Sequence, residues 1–222
     1  MNTKKLNMLS KEKIKEALKI LKSLYPNAES ELNYRSPFEL LISTILAAQC
    51  TDKRVNKVTK ELYKKYNNPE SFLRLTEEQL GELIKSCGFY RMKSKNILKT
   101  CRILVEKYDS RVPTTIEELM KLPGVGRKTA NVVVSNAFGQ DAIAVDTHVF
   151  RVSNRIGLAN SDNVLETEEQ LMENIDKRLW SDAHHWLIYH GRRICKARRP
   201  QCEVCPVSKV CLYYKNNVLK SN

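Results

Sequence analysis

The chain of 222 residues lacks several features that would place it at or across a membrane. No run of about 18 apolar residues occurs, so no membrane-spanning helix is predicted. Residues 1–10 carry lysines but no apolar core, so we expect no secretory signal and a reducing, cytoplasmic location. Repeats, low-complexity tracts and obvious flexible linkers are missing as well. Strand patterns are almost absent, and the one short β-like run is 142–145.

Acidic residues are also scarce relative to basic ones. The chain has 38 Lys and Arg against 25 Asp and Glu, which gives a formal net charge of +13. The basic residues recur along the whole length, so we expect an extended basic face that binds a polyanion. A charge surplus that serves only solubility is the alternative. Binding to a membrane surface is less favoured, because no strongly amphipathic basic segment with exposed aromatic residues is present.

Signals for helix starts recur along the chain. Ser36 followed by Pro37 precedes the nearly all-apolar run 38–48, which predicts a buried core helix. Asp52 is expected to cap the next helix. Three pairs match the spacing of a capping box, namely Thr76 with Gln79, Thr115 with Glu118 and Thr167 with Gln170. The pattern predicts an all-α protein of about ten short helices, and composition gives no domain boundary.

The most informative segment is 122–130, LPGVGRKTA. Pro123, Gly124 and Gly126 disfavour a helix interior, whereas both flanks are helix-forming, so a tight helical hairpin is predicted. Backbone N–H groups exposed at such a turn, beside a helix N-terminus, can hold a phosphate without reading a base. Lys128 falls in the first turn of the second helix, where the positive end of the dipole favours the neutral amine. A neutral lysine amine can form a Schiff base, which suggests covalent chemistry on a nucleic acid.

Three other interpretations of this segment compete with the hairpin. A dinucleotide-binding fingerprint needs a preceding strand and Gly or Ala where Thr129 stands, and the preceding residues 117–121 are helix-forming. A phosphate-binding P-loop fails because Arg127 separates the glycine from the lysine. An ordinary helix-loop-helix corner with a surface lysine stays open on these nine residues alone.

Seven cysteines divide into two groups. Cys50, Cys87 and Cys101 are scattered among apolar residues and are interpreted as buried thiols. The other four lie within 195–211 and are Cys195, Cys202, Cys205 and Cys211. Disulfides are not expected in an unsecreted chain. Only one Cys-x2-Cys pair is present, so the spacing favours a [4Fe–4S] cluster, with a zinc site as the alternative.

The loop between the first two of these cysteines is basic. It contains Lys196, Arg198 and Arg199, and Pro200 stiffens its end. A cluster that fixes both ends of the loop would hold three cations in place for phosphates at low ordering cost. We therefore predict a structural, phosphate-positioning role rather than electron transfer. The alternative is a solvated loop that contacts nothing.

A Schiff-base lysine that attacks a sugar needs a carboxylate to handle protons and positive charge. Asp146 is the candidate, because it ends the apolar run 142–145 immediately before a predicted helix. The alternative role is an N-cap for that helix, and both roles are compatible. His148 could assist with a phosphate or a proton. The remaining histidines of the predicted helix 180–194 are interpreted as packing or hydrogen-bonding residues: His184, His185 and His190.

In combination these segments resemble the endonuclease III family of helix-hairpin-helix DNA glycosylases. The resemblance runs from about residue 24 to Cys211, and the co-linear motifs make it highly specific. The corresponding segments are the hairpin 122–130, the stretch 145–148, the four clustered cysteines, and the runs 48–52, 88–90 and 185–187.

The resemblance implies a bifunctional enzyme that excises oxidised or saturated pyrimidines from duplex DNA and nicks the abasic site by β-elimination. Lys128 would be the Schiff-base lysine, Asp146 the essential aspartate, and the four clustered cysteines the ligands of a [4Fe–4S] cluster. Gln49 would fill the gap left by the extruded base. Phe89 stands where a second apolar wedge is commonly leucine, which is a departure from the family.

The implied fold is all-α and two-lobed, with a six-helix barrel lobe at 30–140 and an iron–sulfur cluster lobe from 1–29 and 141–222. The expected partner is duplex DNA with damaged pyrimidines or abasic sites. We expect the protein to act as a monomer and not to bind a membrane. In a bacterium or archaeon it is expected at the nucleoid. The expected DNA contacts, besides Gln49 and Phe89, are Gly124, Val125, Gly126, Arg127, His148, Lys196, Arg198 and Arg199.

Three rival functions compete with this interpretation. Adenine-mismatch glycosylases share the hairpin and the cluster but usually lack the lysine and carry a further carboxy-terminal domain. A non-catalytic DNA-binding module would tolerate loss of Lys128. An electron-transfer iron–sulfur protein would have no use for the net charge of +13 or for a phosphate-binding hairpin.

Overall fold

A computed structural model describes residues 8–219, so residues 1–7 and 220–222 of the predicted cluster lobe lie outside the described part. The described residues form twelve α-helices and three short 3₁₀ segments, at Lys85–Cys87, Lys177–Leu179 and Pro206–Lys209. The helices are α1 (Lys11–Leu24), α2 (Pro37–Ala47), α3 (Asp52–Lys65), α4 (Pro69–Phe72), α5 (Glu77–Ile84), α6 (Tyr90–Tyr108), α7 (Ile116–Leu119), α8 (Arg127–Phe138), α9 (Thr147–Ile156), α10 (Val164–Asn174), α11 (Trp180–Arg193) and α12 (Leu212–Asn217).

The all-α prediction is confirmed, since residues 8–219 contain no strand. The β-like run 142–145 is instead an irregular, buried segment. It has no strand to pair with, and the carbonyl of Ala144 accepts a hydrogen bond from His184 Nδ1 at 2.7 Å. That bond satisfies one of its buried polar groups. None of the described helices is both long enough and apolar enough to cross a membrane.

Local capping explains most helix starts and corrects two predictions. Thr51, not Asp52, caps α3, because the Thr51 hydroxyl accepts from Arg54 N at 3.3 Å. Thr167 lies inside α10, and its hydroxyl donates to the carbonyl of Asn163 at 2.9 Å. Asn163 has the extended backbone of an N-cap and therefore begins that helix.

The segment Ser30–Gln140 forms one compact unit that contains α2 to α8. Two of these seven helices, α4 and α7, are single turns of four residues. The prediction of a core helix is confirmed, because nine of the eleven residues of α2 are buried. The core of this unit also contains large side chains at 0 % exposure, including Phe72, Leu80, Ile84, Ile97, Leu104 and Leu119.

The second compact unit takes its described residues from Met1–Glu29 and Asp141–Asn222. Its core joins α1, α9 and α11, with Leu21, Val149 and Leu187 at 0 % exposure. Gly157 ends α9 with φ +100°, and a Cβ there would lie 2.5 Å from Leu212 Cδ1. Only glycine permits both the left-handed backbone and this close approach. The position of α9 matters because its first turn and its polar face carry candidate functional residues.

Candidate functional site

The predicted hairpin lies between α7 and α8, and a few bonds fix its shape. Gly124 has φ +80°, in the left-handed region that glycine tolerates. The N–H of Val125 donates to the carbonyl of Leu122 at 3.1 Å, and the Val125 side chain is buried. From α6, the Thr100 hydroxyl donates to the carbonyl of Pro123 at 3.0 Å. The hairpin is therefore anchored by its apolar residue and by a helix behind it.

This arrangement narrows the expected phosphate donors. Val125 was expected to donate its N–H to a phosphate. This expectation is corrected, because that N–H already donates to the carbonyl of Leu122 within the turn. The N–H groups of Gly124 and Gly126 have no main-chain acceptor within residues 8–219. Gly126 is the N-cap of α8 and provides no side-chain cap. A Cβ at Gly126 would meet nothing within 4 Å, so the space beside the helix N-terminus is open.

Lys128 is the second residue of α8, and its side chain is exposed. Within the described residues, no hydrogen bond or ion pair engages its amine. Arg127, the first residue of the helix, is also exposed. The unpaired N–H groups of a helix N-terminus attract anions, and here they share one helical turn with the lysine.

Asp146 is the N-cap of α9. Its Oδ1 accepts two hydrogen bonds, from His148 N and from Val149 N, both at 2.8 Å. Its Oδ2 accepts none from any residue between 8 and 219. One carboxylate oxygen caps the helix and the other stays available, so the two roles considered for Asp146 do not compete.

His148, in the first turn of α9, is half-buried. Its Nδ1 accepts a hydrogen bond from Arg151 Nη2 at 3.2 Å, because the guanidinium can only donate. Burial is the main cause that lowers the pKa of His148, with the Asp146 carboxylate opposing it. At neutral pH the side chain therefore offers a neutral imidazole rather than a cation for a phosphate.

The four clustered cysteines line one cavity with an empty volume of about 340 Å³. Burial raises the pKa of the Cys211 thiol to about 11, and it also raises the pKa values of Cys202 and Cys205. Thiols that are protonated without metal must release protons when they become ligands. The residues fit a metallocofactor bound by thiolates.

The placement of the thiols favours a cluster over a single zinc ion. A structural zinc ion needs four ligands at about 2.0–2.3 Å from one point. Among the described residues, no three His, Cys, Asp or Glu side chains are grouped closely enough to hold a single metal ion. Four thiols spread around one cavity fit a polynuclear cluster, in which each cysteine binds a different iron.

Two arginines of α9, which sequence reasoning missed, hold the basic loop beside this cavity. Arg155 donates to the carbonyl of Lys196 at 2.8 Å and to that of Ala197 at 3.0 Å. Arg151 Nη2 donates to the carbonyl of Cys195 at 3.1 Å. Their spacing of four residues could have indicated a shared helix face, but the target loop lies more than 40 residues away.

The predicted cations of the loop are exposed while its backbone is held. Lys196, Arg198 and Arg199 are all exposed, and Arg199 has φ +51°. Gln201 N closes the loop onto the carbonyl of Ile194 at 3.1 Å. The main-chain hydrogen bonds therefore fix the loop backbone, and the three cationic side chains extend from it into solvent.

The two predicted wedge residues lie next to helix ends. Gln49 follows α2, and Phe89 precedes α6. Both are exposed, Phe89 to 60 %, and both have left-handed backbones, with φ of 53° and 46°. Such a conformation is uncommon outside glycine and marks a backbone that its surroundings constrain.

The remaining cysteines and histidines are mostly structural, as predicted. Cys87 and Cys101 are buried, whereas Cys50 is only half-buried, because it sits in the exposed loop after α2. His190 lies between Tyr25 and Cys205, with its Nδ1 3.1 Å from the tyrosine hydroxyl and its Nε2 3.5 Å from the cysteine sulfur. Burial lowers the pKa of His190 to about 4.

Comparison with protein families agrees with this geometry. Residues 42–177 match the profile described as HhH-GPD superfamily base excision DNA repair protein. Residues 195–211, which begin and end at the first and last clustered cysteines, match the iron–sulfur binding domain of endonuclease III. The chain belongs to the endonuclease III family.

Relatives within the family are similar over most of their length. Endonuclease III of Rickettsia conorii is 52% identical over 191 residues, which cover 86% of this chain and 91% of the relative. Endonuclease III of Bacillus subtilis is 51% identical over 205 residues, covering 92% and 94%. A solved structure of a trapped endonuclease III–DNA covalent intermediate has 52% identity and a TM-score of 0.90, covering 94% of this chain and 98% of that one.

Membership of the endonuclease III family establishes the class of enzyme. The chain is a base excision repair DNA glycosylase with AP lyase activity, and it carries a [4Fe–4S] cluster. The predicted family, fold and cofactor are confirmed. The rival functions of an electron carrier and of a non-catalytic binding module are not supported.

Loss of one clustered cysteine should abolish cofactor binding. Cys211→Ala removes a thiol from the cavity, so we expect the purified protein to lose most of its iron and its visible iron–sulfur absorbance. The matched control is Cys101→Ala, which removes a buried thiol from the other unit and should keep full iron content. Full iron in Cys211→Ala would contradict the ligand assignment.

Proposed function

We propose that this endonuclease III family member removes oxidised or saturated pyrimidines from duplex DNA through a Schiff base at Lys128. It then nicks the resulting abasic site by β-elimination. The substrate class rests on the family resemblance, and the roles below rest on the chemistry of the described residues. We further propose that the protein acts as a monomer, and in a bacterium at the nucleoid.

The hairpin would hold the DNA strand by its backbone. The N–H groups of Gly124 and Gly126, with the first turn of α8, are suited to one phosphate group. Arg127 and the three cations of the basic loop would contact further phosphates. Such contacts fix the register of the protein on the duplex and carry no sequence information.

The damaged nucleotide must leave the base stack, which costs a few kcal/mol of stacking and pairing free energy. Gln49 and Phe89 are proposed to occupy the vacated space and so offset part of this cost. Their exposure supports this role, because an exposed phenylalanine on a constrained turn is available to stack between bases.

The chemical step would begin with the neutral amine of Lys128 attacking C1′ of the extruded sugar. The new C–N bond forms as the bond to the base breaks, and the base leaves as an anion that takes a proton from solvent. Asp146 is proposed to accept the amine proton and to stabilise positive charge on the sugar. Its Oδ2 is suited to this role, because the helix cap uses only Oδ1.

Strand cleavage would follow from the same intermediate. Ring opening gives an imine between Lys128 and C1′, which makes the C2′ proton acidic. Removal of that proton expels the 3′ phosphate by breaking the C3′–O bond.

The [4Fe–4S] cluster would be held by the four cysteines that line the cavity, namely Cys195, Cys202, Cys205 and Cys211. Its proposed role is to make the base of the basic loop rigid.

The observation that carries the proposal is the shared helical turn of an unpaired amine and an anion-binding helix N-terminus. It is tested by adding borohydride to the protein and a duplex that carries an oxidised pyrimidine. We expect a covalent protein–DNA adduct that disappears in Lys128→Gln, because the reduced imine needs this amine. Binding to the duplex should change by less than about tenfold, since the phosphate contacts remain.

The matched control is Lys107→Gln, which removes one positive charge from an exposed lysine of α6. It should keep the adduct and cleave at the wild-type rate. An adduct that persists in Lys128→Gln would move the Schiff base to another lysine. Absence of any adduct in the wild-type chain would contradict the proposed reaction.

Two substitutions of Asp146 should separate its capping role from its chemical role. Asp146→Asn keeps a good N-cap, so thermal stability should change little, whereas excision should fall by about 10² to 10⁴ because the amide is no base. Asp146→Ala should lose the cap too and cost about 1 kcal/mol of unfolding free energy. Single-turnover kinetics and urea unfolding measure the two effects. Wild-type excision by Asp146→Asn would remove Asp146 from the mechanism.

A further inference from the structure

Lys93 is a buried lysine whose ammonium is fully occupied. It lies in the first turn of α6 and is 6 % exposed. Its Nζ lies 2.8 Å from the carbonyl oxygen of Leu46, 2.7 Å from that of Ala48 and 2.9 Å from that of Cys87. An ammonium has three N–H donors, so this geometry is that of the protonated form. Burial lowers the pKa of Lys93, while the neighbouring thiols of Cys50 and Cys87 raise it.

The three acceptors belong to two separate segments. Leu46 and Ala48 end α2, where helix carbonyls lack intrahelical partners and the dipole favours a cation. Cys87 ends the 3₁₀ segment that precedes α6. One nitrogen therefore joins backbone segments that are separated by about 40 residues of sequence.

Each of these segments leads directly into a proposed wedge residue. Gln49 follows Ala48, and Phe89 comes two residues after Cys87. In addition, the main-chain N–H of Lys93 donates to the carbonyl of Phe89 at 3.0 Å. Both wedge residues have left-handed backbones and exposed side chains, so neither is held by its own packing.

We propose that Lys93 is a positioning residue that sets the spacing of Gln49 and Phe89, so that both enter the duplex together. This inference rests on the wedge roles proposed above. The two side chains must replace one extruded base, so an error in their spacing leaves part of the gap unfilled. A role in packing alone would use the methylene groups of Lys93 and would not need its charge.

Lys93→Met tests this role, because it keeps an unbranched apolar stem and removes all three hydrogen bonds. We expect single-turnover excision of an oxidised pyrimidine from a duplex to fall at least about tenfold, as expected for misplaced groups. Borohydride trapping at a preformed abasic site in the same duplex should fall less than about threefold, because there is no base to extrude. Fluorescence of 2-aminopurine next to the lesion should show slower unstacking.

The matched control is Lys99→Met, the same substitution at an exposed position of α6, which should leave both reactions at the wild-type rate. Lys93→Arg keeps a cation and should retain more excision than Lys93→Met. Thermal unfolding and iron content report whether each variant folds. Should Lys93→Met fail to fold, Lys93→Gln, which removes the charge and shortens the side chain, takes its place with the same expected fall in the ratio of excision to trapping.

Two results would overturn the role of Lys93. One is wild-type excision by folded Lys93→Met, and the other is an equal loss of excision and trapping, which indicates general damage. A wild-type ratio of excision to trapping in Lys93→Gln, when Lys93→Met does not fold, has the same meaning. In contrast, a wild-type chain that traps no abasic DNA contradicts the proposed function itself.

Discussion

The uncapped N-terminus of α8 is the constraint on which the proposed function depends. Gly126 begins this helix without a side-chain acceptor, so the first N–H groups stay available for an anion. Lys128 must lie in the same helical turn, because only then does binding of a phosphate at the helix N-terminus place the lysine amine close to the neighbouring sugar. The buried Val125 and the bond from Thr100 keep this turn in place, so the open end does not loosen the fold.

In the second unit the N-terminus of α9, unlike that of α8, is capped by a side chain. Asp146 caps this helix fully with one oxygen and keeps the other unused. The same helix carries Arg151 and Arg155, which hold the backbone at Cys195 and Lys196. One helix thus carries a catalytic candidate at its first turn and supports the cluster loop further along.

Local signals made the fold and the main candidates predictable from sequence. Ser36 with Pro37 and the capping pair at Thr76 act over a few residues, so the sequence shows them directly. The capping box predicted at Thr167 was wrong, because Asn163, four residues earlier, caps that helix instead. Lys93 and Arg155 could not be found in this way. Lys93 contacts Leu46 and Ala48, and Arg155 contacts Lys196, across more than 40 residues of sequence, and these distances become short only after folding.

The most direct test of the central claim is amide NMR of the hairpin. The ¹⁵N-labelled protein would be titrated with a duplex that contains a stable abasic analogue. We predict that the N–H resonances of Gly124, Gly126 and Lys128 shift most, as expected for donors to a phosphate, while that of Val125 shifts less. If the duplex binds and these resonances stay unchanged, the hairpin does not hold the DNA and the account is wrong.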